Sequence, residues 1–512
     1  MVKIEEYRGH IRNWKQLCSE LDIDSSLERS QREEEIILKA YKKWGHSMAD
    51  HIYGMFAFYL TDGDKIFALR DQFGTKPFYY YVTADNRLLC GTMIKSIIEQ
   101  DGFVKEINEE MLQIYMSLTY VAGEDTFFKG VKKLMPGHWL EFENGSLTVQ
   151  RYWSASQHFK PDNSKTAQEW ADEIHSTVQE IFREVKEDGE TAESFLSGGV
   201  DSSYVLAMSD AETSDSCGYD DERFDESYLA KQTADILGRK NSRCLITPEM
   251  YFENVPYVMY NMEQPLGDAS AIVFAIACKE TAKHTKLCYS GEGADEFFGG
   301  YNMYRNAERY GDNLKTFYVG NTNIMKEDEK QRILKNYNPD VLPINLVKSI
   351  YEENENLDPL SKMSDVDIQI WLEGDIYLNV DKMSTVAGLE IRMPLTDRRV
   401  FDIAGRMPSK YKVNEETNKV AFRMSASKVL PDEIAFRKKL GFIVPIRIWL
   451  ADERYNADVV AKFSSEIAER FFNKDEINKI FTEYVNGNSD NWRKVWTIYT
   501  FLVWYEEYFV KR

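Results

Sequence analysis

Nowhere does this chain hold the roughly 20 consecutive apolar residues that a membrane-spanning helix needs. Its start, Met1-Val2-Lys3-Ile4-Glu5-Glu6, lacks the apolar core of a secretory signal. These two absences predict a cytoplasmic protein with no membrane partner. Positive charge is short as well: 63 Lys and Arg stand against 84 Asp and Glu, a formal net charge of -21. Such a balance repels phosphate backbones, so nucleic acid is excluded as a partner. The six cysteines (Cys18, Cys90, Cys217, Cys244, Cys278 and Cys288) show no CxxC spacing. They read as reduced core residues, which argues against a disulfide or zinc framework. The seven histidines are scattered without metal-ligand spacing and predict no zinc or iron site. Internal repeats and low-complexity segments are lacking too.

What is present is enough chain for several cores, because 512 residues exceed what one hydrophobic core supports. The first third is β-rich. Short aromatic and β-branched runs at Tyr53–Leu60, Lys65–Arg70 and Pro77–Val82 are punctuated by Asp62-Gly63 and Phe73-Gly74. A closing hairpin is predicted at His138–Phe142 and Leu147–Val149, about the turn Glu143-Asn144-Gly145-Ser146. The polar stretch Ser154–Thr166 reads as a linker and divides the chain into domains 1–153 and 154–512. Beyond it an amphipathic helix over Ala167–Lys186 leads into short apolar strands at Ser194–Leu196, Cys217–Tyr219, Cys244–Ile246 and Leu287–Tyr289. Strands separated by helical stretches predict βαβ units and a parallel sheet. After about Tyr301 the chain reads as helical, and the aromatic stripe over Trp492–Phe509 keeps a helical period expected of core.

Two clusters carry the chemistry. Leu196-Ser197-Gly198-Gly199-Val200-Asp201-Ser202-Ser203 follows a strand and opens a helix. Its amides and the hydroxyls of Ser197, Ser202 and Ser203 can therefore converge on an anion at the positive end of that helix. It is neither GxxxxGK[ST] nor GxGxxG. An acid inside an anion cradle makes sense when a cation bridges it to phosphate, so Asp201 implies magnesium. Ser290-Gly291-Glu292-Gly293-Ala294-Asp295 through Gly300 also follows a strand. Both clusters thus lie beyond carboxyl ends of one predicted parallel sheet, where such sheets bind ligands. Asp201 and Asp295 are candidate co-ligands of one magnesium, which leaves Glu292 as an acid or base.

The first cluster is similar to the pyrophosphatase-loop motif SGGxDS, and Ser290–Gly300 resembles the SGEGxDExFGGY stretch of asparagine synthetases. Lys382-Met383-Ser384 with Leu389–Asp397 resembles the family's KMSMAxxLEVRVPFLD run, and Arg437–Phe442 resembles its RPKKGF segment. The likeness implies an α/β chain. A partial αββα glutaminase-like domain of the Ntn type would precede a parallel-sheet ATP-pyrophosphatase domain, of the adenine nucleotide α-hydrolase-like kind, with a helical C-terminal part. Carried over by position, Leu196, Ser197, Gly198, Gly199, Asp201, Ser202, Gly218, Ser290 and Gly291 would contact ATP. Asp201 and Asp295 would hold Mg2+. Lys439, or Lys438 if the alignment shifts by one, would neutralise the leaving pyrophosphate. Glu292 is the carboxylate typical of asparagine synthetases, whereas relatives that close β-lactam rings carry tyrosine there.

The implied activity is AMP-forming, ATP-dependent amidation of aspartate. Its small-molecule partners would be aspartate, ATP and ammonia or glutamine; a homodimer is left open. The rivals are an adenylating amide ligase of specialised metabolism, forming a β-lactam or peptide, and a non-catalytic nucleotide-binding scaffold. The family's glutaminase nucleophile is a cysteine directly after the initiator Met, where this chain has Val2. Arg8-Gly9-His10-Ile11-Arg12-Asn13 resembles the family's NGEIYN with Arg8 in place of the oxyanion-hole asparagine. Glu33 replaces the aspartate that holds the glutamine amino group, and Met93 replaces a glutamate. Residues 1–153 are therefore expected to form an incomplete, eroded domain without glutaminase activity, fed by free ammonia or a separate glutaminase. Cys18, on a helix over Trp14–Leu21, is not expected to be the nucleophile.

Overall fold

The computed structural model describes residues 2–187, 189–438, 441 and 443–512. The chain divides into two units, Met1–Asn108 with Gly123–His158, and Glu109–Ala122 with Phe159–Arg512.

In the first unit, strands β1 (Val2–Ile11), β2 (Gly54–Asp62), β3 (Lys65–Arg70), β4 (Tyr79–Val82), β5 (Leu88–Gly91), β6 (Lys132–Lys133), β7 (His138–Glu143) and β8 (Ser146–Arg151) build two sheets. Their orders are β1-β2-β3-β7-β8 and β5-β4-β6, antiparallel throughout. Successive side chains of a strand alternate faces. β2 is apolar on both parities because both its faces are covered. Phe56, Phe58 and Leu60 join Leu17 of α1 (Trp14–Leu21) and Ile36 of α2 (Arg29–Trp44) in one core. Ala57 joins Phe78, Tyr80 and Leu88 in the other. The predicted hairpin forms with Asn144 at φ 50° and Gly145 at φ 77°, as a two-residue turn with both central residues left-handed requires. Sequence pattern marked no strand before Tyr53, yet Val2–Ile11 is an edge strand paired with β2. Helix α3 (Ile94–Ile98) follows β5.

The second unit begins with α4 (Glu110–Leu118), which the sequence placed within domain 1–153. All residues from Met111 to Leu118 are buried. Its polar groups are answered there: Tyr115 OH meets Thr500 Oγ1 at 2.7 Å and Gln113 Nε2 donates to Asn338 O at 2.9 Å. After α5 (Ala167–Glu187), strands β9 (Glu193–Phe195), β10 (Thr213–Tyr219), β11 (Lys240–Ile246), β12 (Leu287–Tyr289) and β13 (Glu390–Arg392) form a parallel sheet ordered β11-β10-β9-β12-β13. Helices α6 (Val200–Met208), α7 (Ser227–Ile236), α8 (Pro248–Met262), α9 (Ser270–Thr281) and α10 (Ala294–Phe298) intervene. From β9 the chain winds outward through β10 and β11, then returns to place β12 on its other side. The β9–β12 border is thus a topological switch point, where crevices open at strand carboxyl ends. In the C-terminal helix Trp492–Tyr505, Val495, Trp496, Tyr499 and Leu502 of the predicted stripe are buried together with every other residue from Val495 to Tyr505, while Trp492 and Phe509 are half-buried. Among the described residues no helix is long and apolar enough to cross a membrane.

Candidate active site

The loop after β9 is shaped by a residue without a side chain. Gly198 has φ +80°, and a Cβ there would lie 2.8 Å from Ala230 N, so only glycine fits. Its turn brings Ser197 back over α6. Ser197 N donates to Ser202 Oγ at 3.1 Å, and the two hydroxyl oxygens stand 3.0 Å apart. The first amides of α6 have no partners further back along the helix, so they and these hydroxyls form a rim of donors of the kind that can hold an anion.

The loop after β12 lies directly on the first. A Cβ at Gly291 would sit 3.0 Å from Ser202 N and from the Asp201 carbonyl carbon, so backbone passes backbone there. Glu292 follows. Its Oε1 accepts from Ser290 Oγ at 3.1 Å, and its carbonyl accepts from Thr396 Oγ1 at 3.0 Å, which anchors both ends of the residue.

Asp201 and Asp295 converge, and a cation joins them. Lys419 Nζ lies 2.6 Å from Asp201 Oδ1 and 2.7 Å from Asp295 Oδ1, with its side chain only 2% exposed. Burial alone would lower the Lys419 ammonium, but the carboxylates of Asp201 and Asp295 outweigh it and hold its pKa above the usual lysine value. Lys419 itself is left-handed, φ 57°, a strained conformation of the kind that clusters at functional sites. Gly300 makes the room, since a Cβ there would meet Asp295 Oδ1 at 1.7 Å.

The Arg437 segment docks on the same loop. Arg437 Nη1 donates to Gly198 O at 2.6 Å, and Arg423 Nη1 holds the Arg437 carbonyl at 2.9 Å. This brings Lys438 to the wall of a cavity of about 370 Å³. Lys439 lies outside the described residues. Leu196, Ser197, Gly198, Gly199, Asp201, Ser202, Ser290, Gly291, Glu292 and Asp295 all line that cavity. Gly218 is not among its lining residues; a Cβ there would point at Arg243 Nε and Asp225 Oδ1, each at 2.5 Å. Sequence reasoning missed Lys419, Arg423 and Asn379, which line it too. Asn379 is 7% exposed, and among the described residues its Oδ1 has no hydrogen-bond partner. No motif marks these three.

In the first unit two of the altered positions, Arg8 and Met93, meet. Arg8 Nη1 lies 3.3 Å from Thr92 Oγ1 and 3.5 Å from Met93 Sδ. Glu33 is buried and accepts from Tyr7 OH at 2.9 Å and Ile11 N at 2.8 Å, with His10 Nδ1 at 3.1 Å. Burial opposes its charge, but the hydrogen bonds of His10 and Ile11 prevail and keep its pKa below the usual glutamate value. Burial pushes the Cys18 thiol up, away from the reactive thiolate.

Residues 4–153 match the family model described as a glutamine amidotransferase domain. This corrects the expectation of an incomplete, eroded domain: the domain is present, and its sequence differences are local. Residues 157–506 match the model for asparagine synthase. Asparagine synthetase (glutamine-hydrolyzing) 1 of Bacillus subtilis (strain 168) is 32% identical over 550 residues, 99% of this chain and 86% of the relative. Asparagine synthetase (glutamine-hydrolyzing) 3 of the same organism is 26% identical over 85% of this chain and 74% of its own length. The amidase chry2 of Gibberella zeae is 31% identical over 53% of this chain and 43% of its own length. With its switch-point cavity formed by the two matching loops, the chain belongs to the asparagine synthase family.

Proposed function

We propose that this protein makes asparagine. A side-chain carboxylate oxygen of aspartate attacks the α-phosphorus of ATP, and the bond to the bridging oxygen breaks to release pyrophosphate. Ammonia then attacks the β-aspartyl carbon and AMP leaves. The observation that carries this reading is the meeting of Asp201 and Asp295 on one cation beside the Ser197–Ser202 cradle.

Two carboxylates that already share an ammonium suit a divalent cation, so Asp201 and Asp295 would hold magnesium. When bound it supplies charge neutralisation to the phosphates. The chain's own groups do the rest. Ser197, Ser202 and the α6 amides hold the phosphates, while Lys438 and the buried Lys419 add positive charge where pyrophosphate departs. Glu292 takes a proton from the attacking nitrogen. The unpartnered Oδ1 of Asn379 offers an acceptor to a substrate N–H, a role that leaves no buried polar atom unsatisfied. Nitrogen comes from ammonia, because Arg8 and Glu33 are occupied by neighbours of their own.

Aspartate-dependent exchange of pyrophosphate into ATP tests the first step, and asparagine formation tests the second. Glu292→Gln is expected to retain exchange and to lose amide formation by about 10²-fold or more. Exchange driven by other carboxylates but not by aspartate would overturn the substrate assignment.

A further inference from the structure

Away from the two loops, three groups with metal-binding atoms meet across the second unit's sheet. Glu193 opens β9, Asp215 lies in the neighbouring β10, and His284 sits in the turn after α9. One ligand atom of each lies within 4.8 Å of the others. His284 Nε2 is 3.0 Å from Glu193 Oε2 and 3.5 Å from Asp215 Oδ2. Bonds of about 2.0–2.2 Å at tetrahedral angles place neighbouring ligand atoms about 3.3–3.6 Å apart, so these separations already approach the edges of a coordination tetrahedron.

The surroundings suit a ligand set as well as a salt bridge. Glu193 Oε2 is fully buried and faces the His284 imidazole beside the Asp215 carboxylate. Asp215 Oδ2 is oriented by the Thr281 hydroxyl at 3.0 Å, the kind of outer contact that fixes a metal-binding carboxylate. The carboxyl side chains are 17% and 12% exposed and the imidazole 43%, which gives a half-buried floor with one open side.

We infer that Glu193, Asp215 and His284 bind a divalent transition-metal ion of the zinc class, distinct from any magnesium at Asp201 and Asp295. Two carboxylates and an imidazole suit zinc and its neighbours, whereas magnesium and calcium favour oxygen alone. The ion ties β9 to β10 and to the α9 turn. β9 runs straight into the phosphate loop, and Leu196 N donates to Asp215 O at 2.8 Å. Occupancy thus stiffens the floor of the nucleotide cavity, which Asp215 and Thr281 also line.

The test is equilibrium dialysis of the full, nucleotide-free chain against Zn2+ with magnesium in large excess. Wild type is expected to bind one zinc tightly. His284→Ala and Glu193→Gln should each weaken that binding by about tenfold or more. The double variant Cys217→Ser, Cys244→Ser, which removes the two thiols facing each other across β10 and β11, should bind as wild type does. His284 is partly exposed, so its variant tests the ligand without emptying a core, and its circular dichroism should match wild type. Zinc binding absent from wild type, unchanged by His284→Ala, or lost in the double cysteine variant would overturn the site.

Discussion

A hydrogen replaced by a methyl group at position 198 illustrates how little slack the site has. Left-handed backbone costs an L-residue about 1–2 kcal/mol, and the added Cβ of Gly198→Ala would also press on Ala230 N at 2.8 Å. The strand-to-helix turn must then shift, and displacements of about 1 Å at a reacting centre cost about 10²-fold in rate. Aspartate-dependent pyrophosphate exchange in Gly198→Ala is expected to fall by that order, while its thermal unfolding midpoint drops by only a few degrees. A variant that exchanges normally would show that the loop tolerates the side chain. At this scale the sequence is legible where chemistry sits in consecutive residues: Ser197, Asp201, Ser202, Glu292 and Asp295 all line the cavity. Lys419 was illegible because it reaches Asp201 across 218 positions from a polar run with no motif. His284 was illegible for the same reason, since its carboxylate neighbours belong to strands far back in the chain.

Elements raise a different problem, that of what they pack against. Most strands were readable from apolar runs bounded by turn residues, and the hairpin from Asn144-Gly145, whereas sequence pattern marked none at β1, β5, β6 or β13. The allegiance of α4 was not, because Gln113 answers Asn338, 225 positions away. A buried acid in the π-helical run Asp367–Tyr377 shows what such packing costs. Burial raises Asp367 to about 7, with the Tyr304 and Tyr318 hydroxyls only partly offsetting it. The folded pKa lies above the unfolded value of about 3.9. Its contribution to stability is therefore full below the unfolded pKa and is lost as pH rises through about 7. Asp367→Asn keeps an acceptor for both tyrosines and removes the titration. Between about pH 5 and about pH 8, wild type should lose about 3 kcal/mol more stability than Asp367→Asn in paired denaturant titrations. Equal pH dependence of the two proteins would remove Asp367 from the account.

For the whole molecule, the architecture followed from alternation of strand and helix, and the location of the site followed from topology. β9 and β12 are neighbours in space although about 90 residues apart in sequence, and their carboxyl ends can carry one ligand only because the winding reverses between them. The first unit was harder to read. Local substitutions suggested an eroded domain, yet the glutamine amidotransferase match runs from residue 4 to residue 153. Presence of a fold does not decide its chemistry, which lives in specific groups. Here Arg8 brings a guanidinium to Thr92 and Met93, where the family's pattern has a neutral amide donor. The Glu33 carboxylate is already committed to Tyr7, His10 and Ile11 N, so a glutamine ammonium would have to displace existing hydrogen bonds in a buried setting. Asparagine formation with ammonium chloride is accordingly expected to exceed that with glutamine alone by about tenfold or more, a difference of about 1.4 kcal/mol in transition-state stabilisation. The assay needs glutamine freed of ammonium, with glutamate release followed in parallel. If glutamate appears in step with asparagine at comparable rates, the substitutions at residues 8 and 33 leave the glutaminase working and the nitrogen donor is glutamine.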